Sequence, residues 1–304
     1  RDRSVSRGLG DVYKRQALRV PALLEMQGEG DSYIYFGHVG QMLLGEDLAR
    51  RGVGGALDYV MRDVEMRLDT ELYVIQNGQA GTTISAAWQQ DSAADRLETL
   101  HDGAGLRSDS MSRTVRNVLS DLERCGASFA PALTGDGTLS TAGYALLRDG
   151  VLVGWAEGAA AAGVNLLLSR VDADVVELPQ ADGTAALRVV GAKTRIRGVF
   201  DGEVLTGMDV KCRVEANLAE GAPALQEEAA RRRLEAELAA VEQERILAAL
   251  ELCRTLEGDF FSLAGAAGLS QPWRAEALRR QWDPSSLEVS VSVTAKLERS
   301  YDAG

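Results

Sequence analysis

Side chains that carry chemistry are scarce in this sequence. Its 304 residues include two histidines and three cysteines. The histidines, His38 and His101, stand far apart, with no His-Glu-x-x-His helix, and no Cys-x-x-Cys pair occurs. Cys125, Cys212 and Cys253 are scattered and odd in number, which implies no disulfide framework. They read as small core residues. No serine lies in a Gly-x-Ser-x-Gly elbow, and no Gly-x-x-x-x-Gly-Lys loop is present. Gly52-Val53-Gly54-Gly55 is too compact for a dinucleotide fingerprint. Aromatics make up 5% of the chain. There is no apolar run of about 20 residues, so no membrane-spanning helix is expected; Gly158–Leu168 comes nearest but is short and glycine-rich. Cations are the minority charge, 33 Lys and Arg against 45 Asp and Glu, for a net charge of −12. That balance argues against nucleic acid, whose phosphates need basic patches, and against electrostatic attachment to anionic lipid. With so many carboxylates, close pairs carry no information about glycosidase chemistry. No catalytic, cofactor-binding or metal-binding residue is therefore assigned, and no cofactor is expected.

What the chain does have is patterned apolar sequence. In Phe36–Ala80, Val39 and Met42–Leu44 form a short strand-like run. Gly45 ends it, and Glu46-Asp47 place carboxylates at a helix N-terminus. Gly52, Gly54 and Gly55 interrupt the helix. Val53, Leu57, Val60, Met61 and Val64 then recur at helical spacing as one stripe. Leu68–Ile75 reads as a strand closed by the turn pair Asn77-Gly78. Strand, helix, strand at this length predicts a parallel crossover.

Further along, Ser110–Arg124 predicts a helix, with Val115, Val118, Leu119 and Leu122 on one face and Gly126 as its stop. Pro131–Gly137 reads as a turn-rich boundary. Asp149-Gly150, between Tyr144–Leu147 and Val151–Val153, signals a type I′ hairpin. Met208–Leu218 and Leu287–Leu297 alternate strictly, apolar against polar. Leu187 and Val189 begin a third such strand, with a parity change at Val190-Gly191 that predicts a bulge. Such strands, wet on one face, predict an antiparallel sheet with the other face covered. The cover expected is a helix from Pro223 to Leu256, with Leu234, Leu238, Val241, Ala249 and Leu252 inward. The alternative for that helix, a coiled coil or partner-binding helix, lacks a sustained heptad.

The fold class that follows is α+β and multidomain, with mixed or antiparallel sheets under covering helices. Residues 17–137 form an N-terminal α/β region, 138–186 a middle hairpin region, and 187–304 a C-terminal α+β domain. Residues 1–16, RDRSVSRGLGDVYKRQ, hold five Arg or Lys against two Asp, with no periodicity and no apolar core of signal-peptide length. They are set apart as non-native, adapter-like sequence, the alternative being a genuine basic arm. On that reading the chain is truncated and has lost its leader and first strands. His38 is expected to be a hydrogen-bonded structural histidine. Trp155, Trp273 and Trp282 are expected to anchor cores rather than line a sugar or amino-acid pocket.

Three stretches together resemble a known family. Gly37, His38, Gly45, Glu46, Leu48, Ala49 and Gly52, then Leu57, Asp58, Arg62, Asp63, Glu65 and Arg67, match a "GH…GE-hA…G" and "LD-hh-RD-E-R" pattern, where h is apolar. Gly143–Trp155, GYALLRDGVLVGW, resembles the hairpin that follows. Trp273, Trp282-Asp283 and a long alternating strand close the chain in the same order. The pattern is similar to that of the Ger(x)C family, the lipoprotein C subunit of spore nutrient germinant receptors, over roughly residues 20–300. The chain departs from it at Ala159–Ala162, where the family has a charged stretch, and in the missing signal peptide and lipid-accepting cysteine.

The resemblance implies a non-enzymatic receptor subunit, lipid-anchored on the outer face of the spore inner membrane. It would assemble with integral-membrane A- and B-type subunits to trigger germination in response to nutrients. The alternative reading is an extracytoplasmic small-ligand-binding protein or hydrolase, which needs a deep pocket with converging polar groups.

Overall fold

The computed structural model describes residues 36–88, 93–102, 110–136, 139–171, 174–180, 183–221 and 228–300. The reading of residues 1–16 lies outside them, as does the Pro223 start of the long helix.

The first half is built on β1 (Gln41–Gly45), α1 (Glu46–Arg51), α2 (Gly54–Arg62) and β2 (Glu71–Gln76). β1 and β2 pair in parallel, as the strand–helix–strand pattern predicts. The glycines split the helix in two: Gly52 sits at φ 123°, a conformation that ends α1. Val53, Leu57 and Val60 are buried, but Met61 and Val64 are 49% and 99% exposed. The stripe stops early because the chain turns extended at Asp63, whose carboxylate accepts from the amides of Glu65 and Met66. Val64 has therefore left the helical phase.

Two short helices, α3 (Ala80–Trp88) and α4 (Ala93–Asp102), precede α5 (Val115–Cys125) and β3 (Ala127–Thr134). The turn read over Pro131–Gly137 is a correction: Pro131 lies inside β3. A central strand tolerates it because β2 bonds only Ala132–Thr134, and the β4 ladder shifts register between Pro131 and Leu133. β4 (Thr141–Arg148) and β5 (Val151–Ala156) complete a five-stranded sheet in the order β1-β2-β3-β4-β5. Asp149 and Gly150 between them lie at φ 51° and 74°, the left-handed pair a type I′ turn needs. Both faces of this sheet are covered. Tyr144 and Leu146 of β4 join one core, while Ala145 and Leu147 join another with α2 and α5.

α6 (Gly158–Leu167) leads to the second sheet, β6-β7-β8-β9, made of Asp174–Gln180, Gly183–Asp201, Val204–Glu220 and Glu288–Ser300. The alternation of β8 is realised: Met208, Val210, Cys212, Val214 and Ala216 are buried while Lys211, Arg213 and Glu215 between them face water. The predicted bulge falls between Val189 and Gly191.

The expected antiparallel sheet is corrected at one pairing, since β9 runs parallel to β8. The cover explains this. α7 (Glu228–Thr255), α8 (Leu263–Ser270) and α9 (Ala275–Gln281) are the crossover that carries the chain back before β9. α7 lies over the sheet with Leu234, Leu238, Ile246 and Ala249 buried, and Val241 and Leu252 half-buried. Glu242, on the same face, is also buried. Arg245 bonds it at 3.2 Å and also bonds Asp174 of β6. Burial pushes the Glu242 carboxyl up and the Asp174 charge adds to this, while Arg245 opposes it.

Candidate functional site

A cavity of ≈ 610 Å³ opens where the end of α5 meets the segment from Asp259 to Trp282. Local sequence fixes the α5 side. Thr114 and Asn117 form a reciprocal capping box, and Gly126 takes the left-handed position that stops the helix. Arg124 and Cys125, the last two residues before that stop, face the cavity. Opposite them, Asp259 accepts from the amides of Leu263 (2.6 Å) and Ala264 (3.0 Å) and so holds the start of α8. Leu269 of α8, Arg279 of α9 and the half-buried Trp282 join small residues of the same segment in the remaining wall.

One carboxylate ties the two sides together. Asp121, on the buried face of α5, bonds Arg124 at 2.5 Å and Ser262 Oγ at 3.1 Å, and also Arg113. Arg124 reaches Ser262 Oγ at 2.9 Å as well. Arg113 lies over the Phe129 ring, 4.2 Å from its centroid, which fixes the network on β3.

The electrostatics separate the cavity groups. Burial pushes the Asp259 carboxyl up to about 6, and the Asp121 charge adds to this; the two amides and Arg124 oppose it. Burial also raises the Cys125 thiol, so it stays protonated at neutral pH rather than becoming a nucleophilic thiolate. Arg279 makes no ion pair among the described residues. The indole Nε1 of Trp282 is buried and has no partner there. Two guanidinium groups, an apolar wall and one carboxyl that titrates near neutrality suit a small molecule with an anionic group on an apolar body.

Of the three tryptophans, Trp273 alone departs from expectation. Trp155 packs half-buried against the first-sheet core, as expected. Trp282 packs half-buried against the second-sheet core, as expected, and also lines the cavity, whereas Trp273 is 77% exposed because it sits in a single surface 3-10 turn, Pro272–Arg274. His38 is exposed in the 3-10 turn Phe36–His38 before β1. His101 falls in α4. The sequence reading weighed Trp282 and Cys125 singly and did not bring the lining together, because it comes from stretches more than 130 residues apart in the chain.

Comparisons with known proteins follow the same order as the chain. A family described as "Spore germination protein N-terminal domain" matches residues 10–134. Its match begins inside the segment set apart on composition. A family described as "Spore germination B3/ GerAC like, C-terminal" matches residues 142–301. No curated protein is matched. In fold the chain is similar to the crystal structure of the GerBC protein, with a TM-score of 0.70 at 15% identity, covering 88% of this chain and 82% of that one. The hairpin β4–β5 falls in the C-terminal match yet completes the sheet begun in the N-terminal one, so the two matched regions interlock. The chain belongs to the GerAC-like, Ger(x)C family of spore germination proteins.

Proposed function

We propose that this chain is a non-enzymatic, extramembrane C subunit of a spore germinant receptor. It is lipid-anchored on the outer face of the inner membrane and assembles with integral-membrane A- and B-type subunits. The observation that carries the reading is the ordered match of both family regions, 10–134 and 142–301, along one chain. Among the described residues no helix is long and apolar enough to cross a membrane, which agrees with attachment through a lipid. Leu269 and Trp273, 85% and 77% exposed beside the cavity mouth, supply the kind of apolar rim that a membrane-subunit contact would cover.

The test is recovery of the upstream coding sequence and its neighbours. A leader ending in a small-residue–Cys lipobox, beside genes for two polytopic membrane proteins, is expected. A cytoplasmic start without such neighbours overturns the reading.

The cavity supports a second role within the same assembly, the binding of a small ligand. Its volume of ≈ 610 Å³ lies within the usual range of small-molecule sites. A thermal-shift screen of the intact chain against amino acids, sugars and small carboxylates tests it. One compound stabilising the native chain but not an Arg279→Gln variant is the expected outcome.

A further inference from the structure

The second sheet gathers cations that the sequence scatters. In the β7–β8 register Lys193 lies opposite Arg213 and Arg195 opposite Lys211. On the β8–β9 side Lys211 lies opposite Ser292 and Arg213 opposite Thr294. The four cations are all exposed, on the face away from α7. They line a shallow depression of ≈ 550 Å³ together with the hydroxyl residues Ser270, Ser292 and Thr294. The flanking rows place Arg197 beside Asp209, and Glu215 beside Lys296. Over the four rows, six cations (Lys193, Arg195, Arg197, Lys211, Arg213, Lys296) thus meet two carboxylates (Asp209, Glu215).

Side chains directly opposite in a ladder have Cβ atoms about 5 Å apart, and like charges placed so repel. Little inside the protein relieves that repulsion. Lys211 reaches Asp209 at 3.5 Å, whereas Lys193, Arg195 and Arg213 make no ion pair or side-chain hydrogen bond among the described residues. The chain's net charge of −12 does not cancel the patch, because charges farther than about 8–10 Å are largely screened at physiological salt. Guanidinium groups form paired, planar hydrogen bonds to phosphate and carboxylate oxygens, and hydroxyls add donors at the rim.

We propose that this face is a binding site for a polyanionic phosphate group, either of a lipid headgroup or of a soluble phosphate compound. The acidic composition argues against such binding for the chain as a whole. The strand register overrides it locally.

The experiment uses the full chain with two probes. Tripolyphosphate is titrated by calorimetry, and vesicles of phosphatidylglycerol with phosphatidylcholine are compared with phosphatidylcholine alone by co-flotation. Binding to at least one anionic probe is expected, and it should weaken as salt rises. A K193Q/R195Q/K211Q/R213Q variant is expected to lose about tenfold or more in affinity, whereas R231Q/R232Q on α7 is expected to change little. The quadruple variant removes mutual repulsion, so its Tm should equal or exceed that of the native chain; K211Q/R213Q is a second, milder check. Vesicle binding alone identifies the lipid headgroup as the source, and tripolyphosphate binding alone identifies a soluble one. Binding of neither probe, or equal binding by the quadruple variant, overturns the proposal.

Discussion

Asp259 sits buried against two backbone amides with its carboxyl pushed up to about 6, mainly by burial. In the unfolded chain an aspartate titrates near 3.9, so between these values the folded state holds more protons than the unfolded one. Stability must then fall as pH rises through this window. The native chain should therefore lose about 2 kcal/mol between pH ~4 and pH ~7 relative to Asp259→Asn, measured by denaturant unfolding at each pH. An unchanged difference would show that Asp259 does not titrate in that range. The cluster on α7 makes a sharper demand. Arg245, 19% exposed in its side chain, stands between Asp174 and Glu242, 8% and 1% exposed. Removing Arg245, the one cation paired with them among the described residues, strands two buried carboxylates, so Arg245→Met should cost about 3–5 kcal/mol in the same measurement. Neither site was legible in the sequence. Asp174 and Arg245 lie 71 residues apart, and a glutamate on an acidic helix gives no sign that it faces inward.

Helices and strands were more readable, because their periodicity is written locally. The stop at Gly126, the type I′ turn at Asp149-Gly150 and the bulge near Gly191 each follow from backbone preferences of a few adjacent residues. Thr114→Ala should remove the α5 cap at a cost of about 1 kcal/mol. Contacts between elements were not readable. The alanine-rich α6 packs so closely on α7 that a Cβ at Gly163 would lie 1.9 Å from the Arg245 carbonyl oxygen. Gly163→Ala, which by helix propensity should stabilise by up to about 1 kcal/mol, should instead destabilise by about 1–3 kcal/mol through forced separation of the helices. Thermal unfolding decides the sign. Strand direction was also hidden. The alternation of Leu287–Leu297 is the same for a parallel or an antiparallel neighbour, and only the length of the crossover before it distinguishes them.

Across the whole molecule, the hairpin β4–β5 joins what the family matches divide. Phe129 of β3 meets Tyr144 of β4 edge to face at 5.2 Å and Phe261 at 5.6 Å, so residues from both matched regions share one core. A fragment starting at Thr141 would leave β4 with an unpaired edge and that core open. It should aggregate or lose its near-ultraviolet circular dichroism, as read by size exclusion and spectroscopy. A monomeric, well-packed fragment would contradict the interlocked architecture. The sequence by itself determined the α+β class, the positions of most strands, the family and the scarcity of catalytic side chains, all properties of local pattern or composition. Tertiary structure alone decided the cavity between α5 and α8–α9, the buried Arg245 cluster, the direction of β9 and the basic face of the second sheet. Each of these depends on residues far apart in the chain becoming neighbours. Strand register and helix packing set that proximity, and no local stretch of sequence encodes it.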